Sequence, residues 1–479
     1  MEKVVALCKR RGFVYPGSEI YGGLAGTWDY GPLGVALKKN IENLWWKFFV
    51  DSREDMYGID SAILMNPKVW EASGHVGGFN DPLVEDKKTK KRYRADHLLE
   101  EAGIATSGMT IEAMGKKIAD MKIKSPDGNE LSAPQQFNMM FKTSIGSVDG
   151  SDTTVYLRPE TAQGMFVNFK NIIDSFHPKL PFGIAQIGRN FRNEIAPRDF
   201  IFRVRELEIM EFEYFVKKEE WKERYEYWLE QMHGWFKAVG FEEGDIKEVE
   251  IPDGERAHYS SRTVDFHFKY PHKFDEIGGF AYRTDYDLNN HIKHSGVDLS
   301  YLDPATNEKF VPHVLEPTFG LGRHVLAVLT KAYTEDELGA KPDQDDPVAR
   351  TGEAGSREKR VFLKFPPHLA PVKVAVFPLL KNKPELVAKA RDVFVMLKKE
   401  FGAVVFDDNG NIGKRYRRQD EIGTVTAVTV DFETLDNDTV TLRDRDSGKQ
   451  IRVKISRLIE TVSEIIKGKL FSELPQKIK

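Results

Sequence analysis

Residues 191–215 read FRNEIAPRDFIFRVRELEIMEFEYF, and the fold turns on how this run is placed. A half-buried strand puts apolar side chains on one face and polar ones on the other. From Phe202 onward that rule fails. The even positions run Phe202, Val204, Glu206, Glu208, Met210, Phe212, Tyr214, and the odd ones Arg203, Arg205, Leu207, Ile209, Glu211, Glu213, Phe215. Both faces mix charge with bulk. Two readings stand: an irregular edge strand or helix with surface ion pairs, or a sheet whose charges line a site.

The flanking sequence favours a sheet. Short strand-like runs, TVYLRPE and FGIAQIGRNFRNE, precede the stretch. An amphipathic helix follows, WKERYEYWLEQMHGWFKAV, ending at Gly240. TVDFHFKY and GFAYRTDYDL read as further strands, and HVLEPTFGLGRHVLAVLTKAY as a strand running into a helix. This order predicts an α+β architecture, an antiparallel sheet with helices packed on it. Residues 31–50 read as a helix opening at Pro32.

Five parts are expected: catalytic residues 1–80, an insertion at 81–147, the second catalytic part at 148–338, a linker at 339–360, and a C-terminal α/β domain at 361–479. The insertion is lysine-rich, with a helix around GMTIEAMGKKIADMK and a turn at SPDGNE. Residues 339–358 are poor in apolar side chains. Beyond them strand and helix alternate, which predicts a small, mostly parallel sheet closed by the hairpin TVTLRDRDSGKQIRVKI.

The whole chain bounds the rest. Its 479 residues allow about two to four domains. A net charge of -4 gives no overall basic field, so a nucleic-acid partner needs local patches. One cysteine, Cys8, excludes an internal disulfide framework and suits a reducing compartment. No apolar run reaches a membrane span, and the apolar part of MEKVVALCKRRGF is too short for a signal peptide. A cytoplasmic location is the expectation.

Common catalytic signatures are missing from the sequence: no cysteine pairs, no GxSxG, no GxxxxGK[ST]. His291 and His294 have helical spacing, but a supporting or surface role fits them better than metal ligation. What remains is an arginine and glutamate set: Arg158, Glu160, Arg192, Glu194, Arg198, Arg203, Glu211, Glu276, Arg283, Glu316 and Arg323. Burying such charges unpaired costs roughly 3–5 kcal/mol each, and stability alone hardly explains eleven. A substrate bearing phosphates, a carboxylate and an ammonium would satisfy both signs.

These residues resemble a known family. FRNEIAPRDFIFRVRE is similar to motif 2 of class II aminoacyl-tRNA synthetases, EPTFGLGR to motif 3, and the segment around Asn66-Pro67 to the dimer-forming motif 1. TWDYGPLG, WEASGH, RPETAQG, YRTDYDL and KRYRRQDEIG resemble the homodimeric glycyl type, over nearly the whole chain. The resemblance implies activation of glycine with ATP and Mg2+, then transfer to the 3′ end of tRNA(Gly). The attacking carboxylate is already ionised near neutral pH. No general base is needed, and positioning and charge neutralisation carry the rate.

Carried over by motif, Arg192 and Arg323 act on the phosphates, Arg192 at the α- and Arg323 at the γ-position. Asn193, Glu194, Arg203, Val204, Arg205, Glu206 and Leu207 line the nucleotide, and Phe202 stacks on adenine. Glu276 and Ile277 contact ATP or its Mg2+, and Gly320, Leu321 and Gly322 complete that site. For glycine, Glu160, Glu211 and Glu316 surround the ammonium and Arg283 takes the carboxylate. Arg94, Leu207, Glu208, Ile209, Met210, Pro317, Thr318, Phe319 and Gly320 make the remaining wall.

Three departures stand out. A serine common in motif 3 is Thr318. The insertion's EDKKTKKRYR and KSPDGNE lack the cysteine pairs that resemble a zinc ribbon in relatives, so no structural zinc is expected. A tryptophan common before the ATP-contacting glutamate is absent from HKFDEIGG. The C-terminal domain resembles an anticodon-binding domain, with Lys414, Arg415, Arg417 and Arg418 as RNA candidates. KKTKKRYR is a second basic run. The rival readings are a sister synthetase with the same C-terminal domain, or a non-catalytic synthetase-like nucleic-acid-binding protein.

Overall fold

The computed structural model describes residues 1–106, 108–146, 153–257, 259–337, 359–475 and 477–478. The chain groups into two compact units. One holds residues 16–28 and 42–326, the other residues 1–15, 29–41 and 327–479. The expected linker at 339–358 lies outside the described residues. Among the described residues, no helix is long and apolar enough to cross a membrane.

The first unit is built on a seven-stranded sheet. Its strands are β1 Met56–Gly58, β2 Phe182–Phe191, β3 Glu206–Val216, β4 Ile246–Glu250, β5 Arg262–Lys269, β6 Phe274–Thr284 and β7 His313–Gly320. Their spatial order is β4-β5-β6-β7-β3-β2-β1. Every pair is antiparallel except β1 with β2. The α+β expectation holds, and the puzzling stretch is a central strand rather than an edge.

Two helices explain its mixed faces. Helix α1, Ala162–Phe176, and helix α2, Trp221–Val239, each bury an apolar stripe. Trp228 of α2 lies 4.6 Å from the Phe212 ring and 4.9 Å from Tyr214, so the even face of β3 is core. Phe166, Phe169 and Ile172 of α1 cluster with Phe182 and Phe215, covering only the far end of the odd face. The stretch from Ile209 to Glu213 is thereby left to a different task. Helix α2 stops at Gly240, whose φ of 97° is the left-handed region that glycine enters without a steric penalty.

In the insertion, strands Asn80–Glu85, Arg92–Arg94 and Gln135–Asn138 form a small sheet beside the helix Ile111–Asp120. The turns at 86–91 and 125–130 are joined by one carboxylate. Asp86 is fully buried and accepts from the Lys88 and Thr89 amides at 2.8 Å, from Ser125 Oγ at 2.5 Å and from Asn129 Nδ2 at 3.0 Å. Burial pushes this carboxyl up, but the donors outweigh it and hold it well below the usual range.

The second unit carries a mixed sheet. Val404–Phe406, Val374–Pro378 and Thr426–Val430 run parallel, and Thr439–Asp444 and Gln450–Lys454 continue it as an antiparallel hairpin. The parallel part is thus narrower than the alternation of strand and helix predicts.

Candidate active site

The odd face of β3 and the facing residues of β5, β6 and β7 wall a cavity of about 380 Å³. Ile209, Glu211, Glu316 and Thr318 contribute from β3 and β7, with Glu160, Arg192, Tyr259, Asp265 and Glu276 around them. In the pleat, alternate residues point the same way, and Glu211 pairs directly with Thr318 across the β3–β7 ladder. Gly278 lets β6 approach, because a Cβ there would sit 2.7 Å from the Thr318 carbonyl oxygen.

Part of the cavity forms an acidic floor. Thr161 Oγ1, at the start of α1, donates to Glu211 Oε2 at 2.6 Å, and Thr318 Oγ1 donates to Glu211 Oε1 at 2.7 Å. Glu160 accepts from Gln163 Nε2 at 2.9 Å and faces His75 Nε2 at 3.3 Å. Burial pushes Glu160 up, but His75, Arg283 and Gln163 together hold it well below the usual carboxylate range. Glu211 is raised, chiefly by burial, with the two hydroxyls opposing. Glu316 is raised by burial and by its acidic neighbours, against the pull of Arg283.

Arg283, expected at the ligand's carboxylate, already has partners of its own. Its Nε and Nη2 donate to Asp287 at 2.7 and 2.9 Å, its Nη1 donates to Glu316 at 2.6 Å, and its plane lies 3.8 Å from the Tyr259 ring centroid. A guanidinium so committed and 1% exposed orients Glu316 rather than awaiting a ligand's carboxylate. His291 supports the same network, its Nε2 lying 2.8 Å from Gln163 Oε1, whereas His294 is exposed.

Basic side chains lie nearby, Arg192 among those that line the cavity. Arg192 Nε donates to the Pro159 carbonyl at 3.1 Å, and the guanidinium lies 5.6 Å from the Phe79 ring. Arg203 has no carboxylate ion pair among the described residues. Burial lowers its pKa, Glu194 opposes, and the like charges of Arg323, Arg94 and Arg198 lower it further. Three further guanidiniums thus lie close enough to Arg203 to disfavour its charge. Arg323 ion-pairs with Glu276 at 2.9 Å and lies 4.6 Å from the Phe202 ring. Phe202 is buried, with Tyr270 and His272 edge-on to its ring.

Other expected site residues have these positions and partners. Met210 and Phe319 are fully buried, and Glu208 and Pro317 share their faces, away from the cavity. Glu206 and Glu208 both meet Arg189, and Arg205 donates to the Ala25 and Glu194 carbonyls. Arg94 is held by Asp96 through two nitrogens and by Asp81 at 2.8 Å, outside the cavity wall. The Asn193 amide donates to the Met139 carbonyl at 2.8 Å, Ile277 and Leu321 are core, and Leu207 and Val204 are half-buried. Gly320 pairs with Ile209, and Gly322 lies in the helix that follows β7.

The sequence reading missed Thr161, Tyr259 and Asp265. Asp265 lines the cavity with Glu276, and burial followed by the Glu276 charge pushes its carboxyl up to about 7. This acidic pair beside the arginines is the place where a divalent cation would relieve like-charge repulsion.

Comparison with known proteins places both parts of the chain in known families. Residues 141–332 fit the class II tRNA synthetase core domain (G, H, P, S and T), and residues 373–465 fit the anticodon binding domain. A glycine–tRNA ligase from Bacillus anthracis is 47% identical over 466 residues, covering 96% of this chain and 97% of the relative. The chain belongs to the glycine–tRNA ligase family. Further members, from Lysinibacillus sphaericus and Clostridium kluyveri, are each 48% identical, over 466 and 475 residues. Family membership covers both the cavity and the C-terminal sheet. In the latter, Arg415 is buried, donating to the Pro378, Asp408 and Gly410 carbonyls, and Arg418 is paired with Asp407 at 2.7 Å. Arg415 is therefore structural; Lys414 is exposed and Arg417 half-buried.

Proposed function

We propose that the chain is a glycine–tRNA ligase: it joins glycine to ATP as glycyl-adenylate, releases pyrophosphate, and passes the glycyl group to the 3′ end of tRNA(Gly). The observation that carries this reading is the cavity that Glu160, Glu211 and Glu316 line together with Arg192. An ammonium meets three carboxylates, each of which also accepts from a protein donor. Arg192 then stands where the glycine carboxylate meets the α-phosphate, and can offset the charge that develops on both. Arg203 and Arg323 serve the remaining phosphates. Mg2+ bound with ATP would be held by Glu276 and Asp265 and supply charge neutralisation.

Selectivity is steric. The floor is filled by Ile209, Thr318 and the carboxylates, and an added methyl must displace one of them. The Thr318 hydroxyl is spent on Glu211, so its extra methyl relative to serine narrows the pocket without changing its polarity. The Asp86 crosslink supports an insertion closed without structural zinc. Homodimerisation through the motif 1 region and a cytoplasmic location belong to the same reading.

Amino-acid-dependent ATP–pyrophosphate exchange tests it. Exchange with glycine, and little with alanine or serine, is expected. Exchange with alanine or serine but not glycine would refute the specificity; none with any amino acid would favour a non-catalytic nucleic-acid-binding role.

A further inference from the structure

One buried acid beside the floor has no task in the reaction as described. Glu213 is two residues from Glu211 on the same face of β3, fully buried, and neither of its carboxyl oxygens has a hydrogen-bond partner among the described residues. A carboxyl oxygen of Glu213 lies with one each of Glu211 and Glu316 inside a group no more than 4.8 Å across. The other charges facing it are Arg283 and Asp287, and Glu160 lies beyond Glu211.

The charge count decides its state. Glu160, Glu211, Glu213, Glu316 and Asp287 share one buried guanidinium, Arg283, and binding adds a single ammonium. Buried like charges this close cannot all ionise, and the group with no donor is the one that keeps its proton. Glu211 has two hydroxyls, Glu316 and Asp287 have Arg283, and Glu160 has Gln163 and His75. Only Glu213 has none of these. A neutral carboxyl is also a donor, and Glu211 and Glu316 each place a carboxyl oxygen within 4.8 Å of one of its own. Arg283 Nη1 engages Oε1 of Glu316, which leaves Oε2 to receive that proton.

We propose that Glu213 is a positioning residue, held as the neutral acid, whose carboxyl proton is donated toward Glu316 and fixes it for the substrate ammonium. Its direction of titration agrees: burial, then the Glu316 charge, raises it well above an ordinary glutamate. The proposal rests on the reading of Glu211 and Glu316 as ammonium partners.

Isotope-edited infrared spectroscopy of the full chain with labelled glutamate, at neutral pH and without substrate, tests the protonation directly. A carboxylic-acid C=O band that disappears in Glu213→Gln is expected; absence of that band from the native protein overturns the proposal. Glycine KM in pyrophosphate exchange tests the positioning. Glu213→Gln keeps a donor and should stay within about threefold, whereas Glu213→Val removes it and should raise KM at least roughly tenfold. Equal large increases in both variants would mean an ionised Glu213 and would also overturn it. If the Val variant does not fold, the band and the Gln variant decide. Failure of the underlying reading shows separately, as an unchanged glycine KM in Glu316→Gln while the Glu213 band persists.

Discussion

The two threonine hydroxyls on Glu211 give the most direct quantitative test of the site. Thr318→Val removes one donor while keeping the volume of the side chain, leaving Glu211 with Thr161 alone. A hydrogen bond to a charged group contributes about 1.5–3 kcal/mol. At about 1.4 kcal/mol per factor of ten, glycine KM should rise roughly 10- to 150-fold. ATP KM should change little, because the Thr318 hydroxyl is spent on Glu211. Burial already raises Glu211, and the hydroxyls oppose that rise, so losing one raises it further. The variant should therefore recover part of its glycine affinity as pH increases, since the raised carboxyl ionises only at higher pH. Thr318→Ser keeps the hydroxyl and should stay near the native value. The assay is pyrophosphate exchange with glycine titrated at several pH values. An unchanged glycine KM in Thr318→Val, or equal increases for glycine and ATP, would refute the assignment of Glu211 to the ammonium.

Arg283→Ala leaves Glu316 and Asp287 buried without their counter-charge, which should cost about 3–5 kcal/mol in urea unfolding and raise glycine KM more than ATP KM; unaltered stability would mean that the triad is not buried as described. Asp265 carries a proton below its raised value and a charge above it, so Mg-ATP KM should fall as pH rises through about 7 in the native enzyme. In Asp265→Asn that pH dependence should flatten. Asp86→Ala should loosen the insertion, seen as faster amide exchange in the turns at 86–91 and 125–130, while EDTA leaves native exchange there unchanged. The depressed Asp86 contributes stability that is complete above the ordinary carboxylate range and lost as pH falls through its folded value. In the second unit, Lys414→Ala should reduce the salt slope of tRNA binding by about 1 without loss of stability. Arg415→Ala should instead lower stability by about 1–3 kcal/mol for the carbonyls it strands.

How far the sequence reaches is clearest along β3. The broken alternation correctly marks a strand that leaves scaffold duty, because charged groups at Glu211 and Glu213 cannot face a core unless something else meets them. Periodicity says nothing of what covers each face, however, and only packing against α1 and α2 divides the strand between core and site. In the unbroken runs 207–210 and 316–320, period two sends the side chains of Glu208, Met210, Pro317 and Phe319 to the other face, which the sequence already implies. The same period was available for Asp265, which alternates with Val264 and Phe266. Tyr259 lies in a loop, where no period applies. In KRYRRQ, positions 414, 415, 417 and 418 cannot all share one helical face, and Arg415 is the one turned inward. Arg283 was recognised as a site residue, but its partners Asp287 and Glu316 are four and thirty-three positions away, and only the fold reveals that they already hold it.

The Asp86 crosslink has a chemical side. It joins two turns through oxygen and nitrogen atoms contributed by four neighbours, in a chain whose single cysteine lies elsewhere, at position 8. A tie of this composition offers peroxide no thiolate to oxidise and a chelator nothing to remove. Whatever redox state surrounds it, this link between the two turns rests on hydrogen bonds alone.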